Sequence, residues 1–185
     1  MPHPRILKKD ETALVVIDVQ EAFRNVIPEF AIVASRIATA VRGMQILDIP
    51  VLVTEQYPKG LGPTAEEITF VLRDEDTTFE KTAFSSCGAA AFVEKLAELG
   101  TKQVVVCGLE THICVSQTVH DLIDRGYQVH VLVDCVCSRF EYNKAAGLAK
   151  MQQSGAVASS VEMALFELMR DSRHEQFKEI QALIK

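Results

Sequence analysis

Short apolar runs alternate along this chain with longer segments in which apolar residues recur at helical spacing. The runs are rich in β-branched residues, as expected of strands that are buried on both faces of a sheet, and they lie at 13–19, 51–54, 103–108, 128–134 and 156–160. The periodic segments lie between and after the runs, at 30–48, 88–99, 111–125, 142–153, 160–170 and 173–184. Strands separated by helices predict a parallel sheet with helices on both faces.

Glycine and proline residues mark the ends of several elements. Pro50 precedes the second apolar run, and Gly100, Gly126 and Gly155 follow helical segments, where a left-handed residue commonly ends a helix. Residues 55–80 show no sustained period and are rich in turn-forming and acidic residues. Turns and exposed positions are therefore expected there.

Length and charge narrow the class of protein. A chain of 185 residues, 48% of them hydrophobic, suits one globular domain, which we place at residues 1–185. The net charge of −6 gives no basic footprint for nucleic acid, and no apolar run reaches the ~20 residues that a membrane-spanning helix needs. Residues 1–10 lack the apolar core of a secretory signal. We therefore predict a cytoplasmic protein, with a mitochondrial location less favoured, and neither a nucleic-acid nor a membrane partner.

The chain has five cysteines, an odd number that does not suggest a disulfide framework in a domain of this size. Cys107, Cys135 and Cys137 lie in or beside apolar runs and are expected in the core. Cys87 is expected to be partly exposed. Cys114 differs from the others because it lies near the start of a helical segment.

Residues that could take part in catalysis or ligand binding lie just beyond three of the predicted strands. Asp18 ends the first strand, residues 55–57 follow the second, and residues 108–114 follow the third. In open parallel sheets, ligands bind at the carboxyl ends of the strands. These segments are therefore expected to meet at one edge of the sheet.

Cys114 is a candidate nucleophile. It lies in the first turn of the helix predicted at 111–125, with Thr111 as the predicted N-cap. The helix dipole and the free N–H groups of a first turn favour an anion, so this position predicts a lowered thiol pKa and a site for an oxyanion. On position alone, the alternative of a small core residue beside Val115 stays open.

Asp18 and Lys81 are candidate partners for this thiol. A carboxylate at the end of a buried strand is costly unless it is satisfied, so Asp18 is a candidate base, metal ligand or structural acceptor of loop amides. Lys81 lies between Phe79 and Phe84, so its segment is expected to pack and its ammonium to pair with a carboxylate. Such a pair beside a cysteine would bias the thiol toward thiolate. Taken alone, Lys81 is equally well an ordinary surface lysine.

Three segments resemble the signature segments of the isochorismatase-like cysteine hydrolases. They are VVIDVQEAF (15–23), FEKTAF (79–84) and CGLETHICVSQT (107–118), which occur in the family's order and with similar spacing. Two more, VTEQYPKGLGPT (53–64) and VDCVCSR (133–139), look like the subgroup called isochorismatase domain-containing proteins. The resemblance implies an α/β fold, namely a three-layer α/β/α sandwich around a mostly parallel, Rossmann-like sheet of about six strands.

The resemblance also implies roles for individual residues. Asp18, Lys81 and Cys114 would form a catalytic triad in which Cys114 attacks an amide-like carbonyl, Asp18 moves the proton and Lys81 stabilises the charged pair. A cis peptide bond is implied between Leu109 and Glu110, and the backbone N–H groups of Glu110 and Cys114 would form an oxyanion hole. Candidates for either the substrate pocket or a packing role are Gln20, Phe23, Tyr57 and Thr111.

The chain departs from the nicotinamidases of this family at their metal-binding positions. Where those enzymes carry D-x-H-x-H, this chain has Glu55, Gln56, Tyr57 and Pro58, so we predict no metal and no cofactor. The isochorismatases proper cleave a vinyl ether and do not need the thiol, so the presence of Cys114 favours thiol chemistry.

We therefore predict a metal-independent cysteine hydrolase that cleaves a small amide-type C–N bond through a thioester on Cys114. A homo-oligomer is implied by the resemblance, and residues 166–169 and 180–184 are candidates for its interface or for the core. The alternatives are a vinyl ether hydrolase of isochorismatase type, a catalytically weak binding or scaffold protein on the same fold, and a redox-sensing thiol.

Overall fold

The computed structural model describes residues 3–185, in which six strands form one sheet and every neighbouring pair of strands is parallel. In chain order the strands are β1 (Thr12–Ile17), β2 (Val51–Gln56), β3 (Thr77–Lys81), β4 (Gln103–Leu109), β5 (Gln128–Cys137) and β6 (Val157–Ser159). Across the sheet their order is β3-β2-β1-β4-β5-β6. This is the order of a doubly wound sheet, in which successive crossovers build outward from the centre in both directions.

Helices connect the strands and cover both faces of the sheet. Within residues 3–185 the α-helices are α1 (Phe30–Ile46), α2 (Pro58–Leu61), α3 (Glu66–Thr69), α4 (Ala90–Glu98), α5 (Ser116–Asp124), α6 (Glu141–Gln153), α7 (Val161–Met169) and α8 (Phe177–Ile184). A π-helical turn, Thr111–Val115, leads directly into α5. Short 3-10 turns lie at Lys9–Glu11, Glu21–Phe23 and Ser86–Gly88.

The apolar side chains of β1 alternate between two cores. Leu14 and Val16 pack on the face that α1, α7 and α8 cover. Ala13, Val15 and Ile17 pack on the opposite face, which α4, α5 and α6 cover. A strand buried on both faces needs apolar residues at every position, which explains the continuous run in the sequence. The two cores confirm the predicted three-layer α/β/α fold with a Rossmann-like sheet.

Residues 55–80, over which the apolar pattern loosens, contain most of β3 and two short helices, α2 and α3, so the sixth strand that the resemblance implied begins in this segment. Along β3 only Lys81 is buried, and the preceding residues are half-buried or exposed. β3 forms one edge of the sheet, where a strand needs no continuous apolar run. Its sequence therefore lacks the pattern by which the inner strands were recognised.

The packing corrects the expectation for Cys87 and answers the open question of where the C-terminal segments lie. Cys87 is buried rather than partly exposed, since the turn Ser86–Gly88 packs against the core on the α4 side of the sheet. In the C-terminal segments, Leu168, Met169 and Ile180 lie in the core on the α1 side. Within residues 3–185 no helix is both long enough and apolar enough to cross a bilayer.

Candidate active site

Two connections diverge at the middle of the sheet and leave a crevice between them. β1 and β4 are neighbours, but the chain continues from β1 to β2 on one side and from β4 to β5 on the other. Asp18 directly follows β1, and Glu110 directly follows β4. The crevice at such a switch point is the usual ligand site of an open parallel sheet. The residues singled out from the sequence meet at this edge.

Gly108 lets the end of β4 approach β1 closely. Its φ is 128°, and a Cβ atom on it would collide with the backbone of Ile17. Both the backbone conformation and the available space therefore require glycine. This close approach brings the segment that carries Cys114 against the residue that follows β1, which is Asp18.

Lys81 and Asp18 form a fully buried ion pair. Lys81 ends β3, and its Nζ lies 2.6 Å from Asp18 Oδ2, with neither side chain exposed. The ammonium also donates to Gln56 Oε1 at 2.9 Å and to the carbonyl oxygens of Ala83 and Phe84 at 3.2 and 2.8 Å. Four oxygen acceptors around one ammonium offset the cost of removing its charge from water.

Asp18 is held through both its backbone and its side chain. It adopts a left-handed conformation with φ of 50°, its N–H donates to Thr54 O at 3.0 Å, and its Oδ1 accepts from Thr54 Oγ1 at 2.8 Å. Burial raises the pKa of the Asp18 carboxyl above its usual value, and the positive charge of Lys81 and the donors around the carboxylate oppose that rise. The net direction is upward because loss of water is the largest effect.

Cys114 lies in the π turn that precedes α5, with 7% of its surface exposed, and its thiol is near enough to the Asp18 carboxylate to feel its negative charge. Burial, and then the negative charge of Asp18, raise the pKa of the thiol to about 12, although Lys81 lowers it. The predicted lowering of this pKa is therefore wrong. Desolvation and the adjacent carboxylate outweigh both the helix N-terminus and the ammonium. The resting site holds a protonated thiol beside a base.

The backbone before Cys114 has the shape that the resemblance implied. The peptide bond between Leu109 and Glu110 is cis. Glu110 O accepts from the N–H groups of Ile113 and Val115, at 3.0 and 3.3 Å. Among residues 3–185, neither the Glu110 N–H nor the Cys114 N–H donates to a backbone carbonyl in a turn, loop or cap.

Glu110 also anchors the segment that follows β5. Its carboxylate is buried, and Oε1 accepts from both the backbone N–H and the Nε of Arg139, each at 3.0 Å. The guanidinium itself is about half exposed. This contact joins the ends of β4 and β5 beside the π turn. Nothing in the spacing of Glu110 and Arg139 along the chain indicated that they pair.

The four candidate pocket residues lie in different environments. Gln20 is buried, and its amide bonds the backbone of Gln56 and Gly62. Thr111 is buried too, and its hydroxyl donates to Cys137 O at 3.0 Å, so the prediction that it caps a helix is wrong. Phe23 packs partly buried against the α1 core, whereas Tyr57 is exposed with φ of 38°.

A cavity of about 430 Å³ opens beside the buried ion pair, at the carboxyl end of β3. Its lining includes Tyr57, Lys59, Lys81 and Gly88. A second cleft, of about 350 Å³, lies where β2 and β3 begin and includes Asp48 and Thr77. That cleft is at the opposite edge of the sheet from Asp18. Of these two, the cavity at Tyr57 is the one that a member of the Asp18–Lys81 pair lines; Asp18 and Cys114 are not among its lining residues.

The positions that hold metal in the nicotinamidases have other partners here. Glu55 Oε1 accepts from the backbone N–H and the hydroxyl of Thr64, both at 2.6 Å. Gln56 bonds Lys81 and the carbonyl of Thr82. Among residues 3–185 there is no cluster of three or more His, Cys, Asp or Glu side chains that would suit a metal ion.

Sequence reasoning missed a set of buried hydroxyl groups behind the candidate site. Thr54, Ser86 and Thr118 are each fully buried and lie within hydrogen-bond distance of one another in that order, at 3.3 Å and 3.3 Å. Hydroxyl residues are usually exposed, so their types gave no indication of burial. The available signal was the position of Thr118 four residues after Cys114, where a helix places a threonine hydroxyl against a backbone carbonyl.

Comparison with known proteins places the chain among relatives of similar length. A family model described as the isochorismatase domain matches residues 12–163. Isochorismatase domain-containing protein 2 of Rattus norvegicus is 41% identical over 177 residues, covering 95% of this chain and 82% of that protein. The Homo sapiens protein of the same name is 42% identical over 175 residues, covering 94% and 83%.

Solved structures show the same fold. The MAR1 ribonuclease from Caenorhabditis elegans superposes with a TM-score of 0.92 at 37% identity, covering 97% of this chain and 92% of that one. The Escherichia coli YcaC gene product, described as an octameric hydrolase of unknown specificity, has a TM-score of 0.90 at 21% identity, covering 100% and 91%, a likeness of fold alone. From the extent of the domain match and the identity to the curated relatives, the chain belongs to the isochorismatase family.

Proposed function

We propose that this protein is a metal-independent cysteine hydrolase that cleaves the C–N bond of a small amide-type substrate. The observation that carries the proposal is the proximity of the Cys114 thiol to the Asp18 carboxylate, whose negative charge raises the thiol pKa and which is itself paired with Lys81 at 2.6 Å. A thiol with a raised pKa is a weak nucleophile until a base takes its proton. Asp18 is the proposed base that takes this proton at the moment of attack.

The first half-reaction forms a thioester. Cys114 Sγ bonds to the carbonyl carbon while its proton passes to Asp18, and the carbonyl oxygen becomes an oxyanion. The N–H groups of Glu110 and Cys114 are the proposed donors to that oxyanion. When the tetrahedral species collapses, the C–N bond breaks and Asp18 returns the proton to the leaving amine. No net charge is left in the site.

Water then hydrolyses the thioester. Asp18 takes a proton from the attacking water, the C–S bond breaks, and the proton returns to the Cys114 sulfur. Lys81 keeps a fixed positive charge next to Asp18 through both steps, because all four of its oxygen contacts are made by the protein itself. Its proposed role is therefore to stabilise charge on Asp18 rather than to donate to the substrate.

The presence of Cys114 favours this reaction over hydrolysis of a vinyl ether, and the size of the cavity favours a small substrate over a polymer. The cavity of about 430 Å³ suits a small molecule. A vinyl ether hydrolase of isochorismatase type would leave Cys114 without a role. The C. elegans relative is described as a ribonuclease, so RNA cleavage is the second activity to test, although a net charge of −6 offers little for a polyanion.

Two further properties belong to this proposal. The resemblance to the family favours a homo-oligomer, which sedimentation of the purified protein will test directly. The free and buried state of all five cysteines suits a reducing compartment such as the cytoplasm. Fractionation of cells that express the tagged protein will test the location.

The decisive experiment screens a library of small primary and secondary amides, with a vinyl ether and a single-stranded RNA included. We expect amine release from at least one amide and trapping of an acyl group on Cys114, detected by mass spectrometry. Cys114→Ser and Asp18→Asn should lower kcat/KM by at least about a thousandfold. Turnover of RNA or of the vinyl ether that survives Cys114→Ser would overturn the proposal.

A further inference from the structure

Three buried hydroxyl groups link the Asp18 carboxylate to the backbone of Cys114. Thr54 Oγ1 lies 2.8 Å from Asp18 Oδ1 and 3.3 Å from Ser86 Oγ. Ser86 Oγ lies 3.3 Å from Thr118 Oγ1, which in turn lies 2.7 Å from Cys114 O. These residues come from β2, the turn after β3, and α5. The chain of contacts therefore spans three separate parts of the fold.

The number of protons fixes the direction of these hydrogen bonds. Cys114 O is a carbonyl that only accepts, so the single hydroxyl proton of Thr118 is used there, at the shortest of its contacts. Thr118 Oγ1 itself accepts from the Ser86 backbone N–H at 2.9 Å. Thr118 Oγ1 is also oriented to donate to Ser86 Oγ at 3.3 Å, but its one proton is used in the shorter bond to Cys114 O, so the Ser86 N–H is the firm link between Ser86 and Thr118. The Ser86 hydroxyl keeps its own proton, with Thr54 Oγ1 within reach at 3.3 Å.

At the other end of this series of hydroxyl groups, Asp18 is the acceptor. Asp18 Oδ2 accepts from Lys81 and Oδ1 accepts from Thr54, an arrangement that suits a carboxylate and leaves a further acceptor site on each oxygen. The Thr54 hydroxyl donates its one proton to Asp18. In its contact with the Ser86 hydroxyl it can therefore only accept. Successive hydroxyl donors polarise one another, which strengthens the last bond in the series.

We propose that Thr54 and Ser86 are positioning residues that hold Asp18 as an ionised acceptor facing Cys114, while Thr118 ties the cysteine turn to the same series. The proposal rests on the proposed function, in which Asp18 is the base. It assigns a role to residues that do not touch the substrate. The charged and titratable groups that face Asp18 are Lys81 from β3 and Cys114 from the π turn, with Glu110 acting on the thiol.

The measurement is the pH dependence of Cys114 alkylation by iodoacetamide in the full-length protein, followed by mass spectrometry. If Asp18 acts as the base, the alkylation rate of Cys114 should rise with pH to a plateau as Asp18 ionises. Asp18→Asn should abolish this rise. The midpoint of the rise reports Asp18. We expect it to lie above the usual carboxyl pKa, since burial raises that pKa.

Removing a hydroxyl from the series should move this midpoint upward. A donor to the charged form of an acid lowers its pKa, so Thr54→Val, which keeps the shape and removes the donor, should raise the midpoint by about one pH unit or more. Ser86→Ala should raise it by less, because it acts through Thr54. Thr54→Ser, which keeps the hydroxyl, should restore the original midpoint.

Thr12→Val is the matched control. Thr12 is also a buried threonine, and its hydroxyl donates to Lys8 O at 2.7 Å, but it lies at the opposite end of β1 from Asp18. Thr12→Val should reproduce the loss of stability that comes from removing a buried threonine hydroxyl. It should leave the midpoint of the alkylation rate unchanged. If Thr54→Val does not fold, Ser86→Ala and Thr54→Ser still decide the question.

The outcomes separate this proposal from the proposed function. An unchanged midpoint in folded Thr54→Val and Ser86→Ala would overturn the positioning role, even if an amide is hydrolysed. A shifted midpoint in both, with no amide turned over by the wild-type protein, would support the positioning role and reject the hydrolase. The alkylation readout needs no substrate, so the two results are independent.

Discussion

The cost of burying charge governs the site at the scale of single residues. Lys81 and Asp18 are fully buried and 2.6 Å apart, so each makes the burial of the other tolerable. Cys114 lies against the same carboxylate and keeps its proton at rest. An uncharged thiol beside an ion pair leaves the site neutral overall, which limits the penalty of holding three polar side chains away from water.

Replacing Lys81 by methionine should destabilise the fold as well as abolish activity. The change leaves Asp18 buried without its counter-ion, and the free energy of unfolding should fall by about 3–5 kcal/mol near neutral pH. The loss should be smaller at acid pH, because Asp18 then becomes protonated. Urea denaturation at two pH values, followed by circular dichroism, measures both effects.

Lys102→Met is the control for that variant. Lys102 pairs with Glu11 at 2.8 Å, but its side chain is 69% exposed. Water and salt screen an exposed pair, so its loss should change stability little. Equal losses in the free energy of unfolding in the two variants would show that the buried Asp18–Lys81 pair contributes no more to stability than an exposed pair does.

At the scale of elements, α6 fixes the position of the cysteine turn. Gly147 of α6 faces the π turn so closely that a Cβ atom on it would lie 3.0 Å from His112 Cα and 3.0 Å from Thr111 O. Both are backbone atoms, which do not move aside as a flexible side chain would. The helix and the turn therefore have to shift together when this space is filled.

Gly147→Ala should disturb the turn although alanine is the better helix former. Overpacking should cost about 1–3 kcal/mol of stability and exceed the gain from helix propensity. Displacement of Cys114 from Asp18 should slow its alkylation. Ala146→Ser, an exposed position on the same helix, should change neither quantity. Stabilisation by Gly147→Ala would contradict the close packing inferred from the backbone distances.

At the scale of the whole molecule, the inner strands and the long helices were predictable because burial imposes a regular apolar pattern on them. The edge strand β3 was not, since its exposed positions carry no such pattern. The sequence likewise indicated Asp18, Lys81 and Cys114, which the fold brings together. The direction of the thiol pKa depends on how much water and charge surround Cys114, and only packing determines that.

A buried histidine should make the whole fold sensitive to acid. His130 on β5 is fully buried, and burial lowers its pKa from 6.5 to about 4. The unfolded chain binds a proton at this residue below pH 6.5 and the folded chain does not, so stability is lost as pH falls from 6.5 toward 4. The loss should be on the order of 3 kcal/mol.

Comparing unfolding at pH 6.5 and pH 4 in His130→Leu isolates this effect from that of the carboxylates. The variant should lose clearly less stability between the two pH values than the wild type does. His3→Gln, at an exposed position, should behave like the wild type. A pH dependence that is identical in His130→Leu and the wild type would assign acid sensitivity to other groups.

The hydrogen-bond donors of the Lys81 ammonium are all used within the protein, and this has a consequence for inhibitor design. Its ammonium is surrounded by Asp18, Gln56 and two backbone carbonyls, so no N–H remains for an incoming anion. An acidic group added to a compound in order to pair with this lysine would lose its own hydration and gain no partner. Neutral electrophiles that present a carbonyl or a nitrile carbon to Cys114 should therefore bind better than carboxylates of the same shape.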